Sequence, residues 1–477
     1  MSIAVPAPYT SSTQEIAQLR SRLAGDVLTP DGPAYDDARA CWNGAFDAHP
    51  AVIIEPVDEG DVVEAVRFAR SADLGIAVQA TGHGMADVPD GALLIATRRM
   101  GEVAIDPAAR TARVGAGATW GPVLAEAGEH GLAPLAGSAP HVGAVGYTLG
   151  GGMGWLARKH GLSADRVRAV ELVTPDGEFR RATPEQEPEM FWALRGGGAG
   201  SLGVVTTIEI DLVPVGEVYA GNLLYPPEAA PEVFARFRDW VRDVPDELTS
   251  AVAIMNYPPF DVVPEAVRGR SFAIVRGCWC GPVEQGAALL DDWRAWRPPV
   301  LDQFGPMPFS RMAEISQDPV DPVPAMVGTT SLADLDATAA QVLIERTLPA
   351  GGPPALIFSE VRHGGGALAA TGHGTDHGAG HSAGHGAGHT ALREVAFITH
   401  AVGIPDPGHP QGLIDHLAAM HTALAPHRTE HAYLNFLDGE ERRERTREAF
   451  SAQEWTRLGA VKREVDPHDR MRYGLRL

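Results

Sequence analysis

The chain has 477 residues, with 39 lysines and arginines against 61 aspartates and glutamates, a formal net charge of −22. That length exceeds one ordinary core and points to two or three domains, while the acidic surplus repels a phosphate backbone and excludes nucleic acid as a natural partner. With 44% hydrophobic and 21% charged residues, and no apolar run approaching the roughly 20 residues of a membrane-spanning helix, the sequence reads as a soluble globular protein without a membrane partner.

The opening MSIAVPAPYTSSTQEIAQLRSRLAG has no basic segment leading into an apolar stretch, so no secretory signal is visible and a cytoplasmic address is expected. An N-terminal helix is followed by AVIIEP, read as a strand, and by a helix in which Val62, Ala65, Val66 and Ala69 recur at helical spacing. IAVQA is a second strand and runs directly into QATGHGMAD, Gln79 to Asp87, where one histidine stands between two glycines. A turn needs only the glycines, so His83 either fills space or does chemistry where the backbone comes close to a ligand. GALLIAT and the antiparallel pair GEVAID and RTARVGAG continue as strands, and a helix is expected from Thr119 as cap to Gly131 as stop.

Eight glycines then lie between Gly137 and Gly161, interleaved with small residues, as a backbone requires when it presses against a flat or phosphorylated ligand. Turns between buried strands are the plainer alternative. GAGSLG, Gly198 to Gly203, matches the dinucleotide fingerprint G-x-G-x-x-G by letter, but that site needs a strand before it and a helix after it. Here PEMFWALR before it reads as helix and VVTTIEIDLV after it as strand, so the glycines cannot set a helix N-terminus under a pyrophosphate. Cys41, Cys278 and Cys280 are too few for a disulfide framework, and the C-W-C spacing is too tight and isolated for zinc. No metal site is expected.

Taken in order, GHG at residue 83, GSAPHVGAVGYTLGGGMG, GLSADRVRAVELVTPDGE, FWALRGGGAGSLGVVTTIEIDL, AYLNFLDGE and LGAVKREVDP resemble the berberine-bridge-type branch of the vanillyl-alcohol oxidase flavoproteins. The resemblance runs from about Trp42 to Leu212, resumes over roughly the last 50 residues, and is loose in the middle third. It implies an α+β fold with a two-part FAD-binding domain, 1–215 and 429–477, and an inserted antiparallel-sheet substrate domain, 216–428. It also implies FAD held by a single covalent histidyl linkage at His83. A second linkage is not implied, because relatives with two carry a cysteine where this chain has Ala139.

By the same resemblance the cofactor-binding positions are Gln79, Ala80, Thr81, Gly82, His83, Gly84, Met85, Gly137, Ser138, Val142, Gly143, Gly146, Tyr147, Gly203, Val205 and Asn435. Many relatives read R-G-G-G-H-S where this chain has Gln79 to Gly84, so the resemblance does not carry over the exact contacts of Gln79 and Thr81 to the flavin and pyrophosphate. For the reaction, Tyr433 would take the substrate's proton and Glu360, in IFSEVRHGG, would orient it; a bonded core tyrosine and an ion pair to Arg362 are the competing readings. YLNF is read as a strand returning to the flavin. The implied activity is two-electron oxidation of a small organic substrate, an alcohol, amine, sugar or phenolic or polyketide metabolite, with O2 as acceptor giving H2O2. A dehydrogenase with another acceptor and a flavin-binding protein without turnover are the alternatives.

One stretch belongs to none of these motifs. Histidines 373, 377, 381, 385 and 389 recur at intervals of four within Gly372 to Thr390, but glycine costs about 1 kcal/mol per residue in a helix. A low-complexity surface insertion with at most weak metal binding is expected there.

Overall fold

The computed structural model describes residues 13–477 except 86, 198, 199, 350 and 370–390. The histidine-rich stretch lies outside the described residues. Three sheets organise the chain. Val52–Glu55, Leu93–Ala96 and Ile76–Gln79 run parallel, with Asp26–Leu28 antiparallel at the edge. Their burial on both faces matches the near-continuous apolar sequence of parallel strands. The helix Glu59–Ser71 covers them with the expected face, Val62, Ala65, Val66 and Ala69 being fully buried, and Asp58 caps it by accepting from the Asp61 N–H.

The second sheet is antiparallel, in the order Val103–Asp106, Thr111–Gly115, Val204–Asp211, Val167–Val173, Phe179–Ala182. The helix Trp120–Gly128 packs beneath it through Trp120, Val123 and Leu124. Thr119 sits at its cap position, but its side chain makes no capping bond; the chain leaves at Gly131, whose φ of +65° suits glycine. Helix Pro188–Leu194 precedes the Gly200 region and strand Val204–Asp211 follows it, the order that rules out a dinucleotide fingerprint.

The third sheet is eight-stranded and antiparallel, built entirely from strands between Glu217 and Gly403. One face packs on helices Ala230–Trp240, Val283–Trp296, Ala337–Thr347 and Gln411–Leu424 around Phe234, Phe237, Trp293 and Leu343. The other face carries Asn222, Arg276, Glu360 and Arg362 together with apolar side chains such as Ile274 and Ile398. After residue 429 the chain goes back to the first two sheets: the buried Lys462 donates to the Ser201 and Met471 carbonyls and to Asp466, and the Ile76 N–H donates to the Arg470 carbonyl. The two-part first unit with an inserted antiparallel sheet is thus the fold. YLNF, however, is not a strand: Leu434–Phe436 form a turn of 3₁₀ helix. Four residues of mixed polarity carry no periodicity able to separate the two forms.

Candidate active site

Strand Ile76–Gln79 ends where the chain must turn sharply, and Gln79 fixes the exit by donating to the Ala40 carbonyl. Gly82 follows at φ +71°, and a Cβ there would stand 2.1 Å from the Cys41 Cβ. Only glycine lets this turn lie against residues 41–43, whose Trp42 and Asn43 N–H groups donate to the Thr81 and Gly82 carbonyls. The His83 ring is thereby stacked on Trp42, with centroids 4.5 Å apart and planes 13° from parallel. His141 approaches from the glycine-dense segment with its centroid 5.0 Å away. Gly143 brings that segment against Ala80 and Thr81. Met85 is held by its N–H donating to Asp438, and Gly84 lies beside Arg442.

Burial, reinforced by His141, pushes His83 down to about 3, so the ring is neutral at physiological pH. Its Nδ1 is 2.8 Å from the Thr81 hydroxyl, while its buried Nε2 has no hydrogen-bond partner. His363, also pushed to about 3, and His400, pushed to about 4, are neutral for the same reason, burial. All three bind protons less readily folded than unfolded. Stability is therefore expected to be full above about pH 6.5 and to fall as pH drops toward 4, which a series of thermal melts across that range checks.

Further along, Gly137 touches the Tyr147 ring, and Gly150 leaves room for the Asn435 side chain, whose amide would stand 1.9 Å from a Cβ there. Asn435 donates to the Tyr147 carbonyl at 2.9 Å and to the Tyr433 hydroxyl at 3.2 Å. The Met153 N–H also donates to that hydroxyl, at 2.7 Å. Ser138, Val142 and Gly146 flank the same segment, Val142 packing on the core that also holds Val205; Gly203 presses on the Val173 carbonyl at the end of the neighbouring strand. Burial raises the Tyr433 phenol above its usual range, opposed by the Met153 and Asn435 hydrogen bonds and by Arg362.

Glu360 does not orient that phenol. Its buried carboxylate accepts from Arg276 at 3.0 Å and from Arg362 at 2.5 Å, and no hydrogen bond joins it to Tyr433. Burial works against its charge, but Arg362 and Arg276 outweigh it and hold the carboxyl below its usual range. The ion pair to Arg362 is therefore what the structure contains, and the tyrosine is oriented by Met153 and Asn435. Arg362 links the two residues, lying over the Phe436 ring at 5.0 Å and the Trp155 ring at 5.5 Å. Sequence reading missed Trp42, His141 and Met153: the last two stand inside the glycine-dense motif, but each reaches the site through a tertiary contact that the motif does not announce.

Residues 50–183 match the FAD binding domain family. An FAD-linked oxidoreductase of Dictyostelium discoideum is 30% identical over 304 residues, 63% of this chain and 64% of that protein. (R)-6-hydroxynicotine oxidase of Paenarthrobacter nicotinovorans is 35% identical over 212 residues, 44% of this chain and 46% of that protein. These matches span less than two thirds of either relative. Among solved structures, BBE-like 1 of Physcomitrella patens superimposes with a TM-score of 0.79 at 19% identity, covering 96% of this chain and 98% of that one. Residues 50–183 thus carry an FAD-binding domain, and the chain as a whole shares the fold of BBE-like 1.

Proposed function

We propose that the protein is an FAD-dependent oxidase which holds its flavin by one covalent bond from His83 and oxidises a small organic substrate, with O2 as acceptor and H2O2 as product. The observation that carries this reading is the His83 imidazole: neutral, half-buried, stacked on Trp42 and beside the Thr81 hydroxyl, and with its buried Nε2 unpartnered. A neutral ring with a free lone pair is a nucleophile for the electrophilic 8α carbon of an isoalloxazine. The residues present fit the group: His83 Nε2 is a buried polar atom without a partner, and at Gly146, in the glycine-dense segment, no atom lies within 4 Å of where a Cβ would stand. FAD, when bound, supplies the two-electron acceptor.

The chain's own residues do the rest. Residues 1–215 and 429–477 would hold the cofactor, and residues 216–428 would shape the substrate space. Tyr433, once ionised, would accept the substrate's proton on its phenolate oxygen, with Met153 and Asn435 holding that oxygen in place. The alcohol, amine, sugar or phenolic classes remain the substrate range, and the nicotine oxidase relative supports a small-molecule substrate.

Acid precipitation is expected to leave the yellow colour with the polypeptide, and mass spectrometry to find one FAD on the peptide Gln79 to Asp87. Flavin released into the acid supernatant beside an unmodified peptide would refute the linkage. His83→Ala is expected to fold and to carry only acid-extractable FAD. Admitting air to the substrate-reduced protein tests the acceptor: rapid reoxidation supports an oxidase, and a flavin that stays reduced supports a dehydrogenase.

A further inference from the structure

The eight-stranded sheet carries a row of charge on the face turned toward Tyr433. Strand register sets Arg362 opposite Ala251 and Ile398, Arg276 opposite Ala251, and Glu360 opposite His400, so these side chains share one face. Ile398 in turn packs with Tyr433 and Met153. The Arg276, Glu360 and Arg362 side chains are 5%, 2% and 12% exposed, so two guanidiniums share one carboxylate with little help from water.

Among the described residues no further ion pair makes up the difference. His400 is neutral and stacks on Phe436, and burial keeps the Tyr147 and Tyr433 phenols protonated. Asp318 is within electrostatic reach of Arg362 but forms no ion pair with it. One buried positive charge is left over in a chain whose net charge is −22, and an uncompensated buried charge is costly unless something binds it. Arg362 donates to Glu360 through Nε alone; among the described residues its two terminal nitrogens have no hydrogen-bond partner. That free edge is the fork which takes a carboxylate in two parallel hydrogen bonds, and the Trp155 and Phe436 rings hold it flat. Arg276 Nε is buried and unpartnered beside it.

We propose that this row makes the protein select a substrate bearing a carboxylate, with Arg362 as the residue that receives it and Arg276 and Glu360 positioning that guanidinium. The inference rests on the flavin-oxidase reading and names the substrate class for the same site.

Benzoate and its neutral isostere benzamide probe it, titrated into the purified holoprotein by calorimetry, with the flavin spectrum recorded in parallel. Benzoate is expected to bind at least about tenfold more tightly than benzamide. Arg362→Met is expected to erase that preference and Arg362→Lys to keep part of it. Glu360→Gln, which removes the one negative charge, is expected to tighten benzoate and leave benzamide unchanged. Equal binding of the two probes to the parent protein, or a preference that survives Arg362→Met, overturns the proposal. So does an Arg362→Met variant whose flavin potential drops while the preference stays, because the charge would then serve the cofactor. Flavin content is measured separately: a flavin-free protein that still prefers benzoate refutes the oxidase reading alone, and a flavin-loaded one without preference refutes only the carboxylate.

Discussion

Tyr433→Phe is expected to slow reduction of the flavin by substrate by about 10²–10⁴, the range for losing a positioned general base, while covalent flavin and fold persist. The phenol oxygen already receives the Met153 N–H at 2.7 Å and the Asn435 amide at 3.2 Å. Two donors occupy both lone pairs of the protonated oxygen, so its proton is what faces whatever lies opposite, and they favour the phenolate that loss of that proton would leave. Burial opposes the phenolate more strongly and lifts the group above its ordinary value near 10. The base form therefore grows with pH, and the reduction rate is expected to climb through the alkaline range without a plateau at neutrality. Glu360→Gln should cost less, since the carboxylate acts on the phenol only through Arg362. Stopped-flow reduction without oxygen reads both variants; an unchanged Tyr433→Phe rate would move the proton to His363 or Glu360. Reoxidation by O2 should change little in either.

Gly82→Ala is expected to abolish covalent flavin nearly completely. At φ +71° an alanine costs on the order of 1–2 kcal/mol by left-handed geometry alone, and its Cβ would stand 2.1 Å from the Cys41 Cβ and 2.7 Å from the Cys41 Cα. The second contact is with main chain, so no rotamer relieves it. The turn must lift from residues 41–43, which undoes the Trp42 to Thr81 and Asn43 to Gly82 hydrogen bonds and the stack on His83. The fault stays in one loop, leaving the three sheets with their cores. Circular dichroism should therefore stay near that of the parent while acid-stable flavin falls to background; normal flavin in the alanine variant would show that the stack does not matter for attachment.

The two substitutions mark where the sequence was legible. The helix carrying Val62, Ala65, Val66 and Ala69 and the strand AVIIEP could be read because burial imposes a period on residues close in the chain. The glycines at 82, 137 and 143 were legible for a related reason: each marks a spot where backbone meets backbone or ring, and composition records that. Glu360 shows the limit. Its partner Arg362 is two residues away and was foreseen, but Arg276 is 84 positions distant and joins it only through strand register. Nothing local announces a pairing of that kind, nor the approach of His141 to His83, nor the donation from Met153 that orients a tyrosine 280 residues later. The 3₁₀ turn at Leu434–Phe436 was missed because short mixed runs take their form from what they pack on.

Asn43 gives the histidine loop a history as well as a shape. Its side-chain amide donates to the Ala325 carbonyl at 3.1 Å and to Asp438 at 2.8 Å, and its side-chain oxygen accepts from the Ala325 N–H. Asp438, through its other oxygen, receives the Met85 N–H. Early, middle and late chain are tied at one residue, across separations of 282 and 395 positions. Contacts that distant form slowly, after the loops between them have closed. During synthesis the residues around His83 leave the ribosome long before Asp438 exists, so the clamp is assembled late, whatever the speed of the local turn. On the proposed linkage, attachment of a cofactor at His83 would in that sense be a reading of the finished chain: it would report that early, middle and late segments have met, and a chain stalled before Asp438 would pass through synthesis colourless.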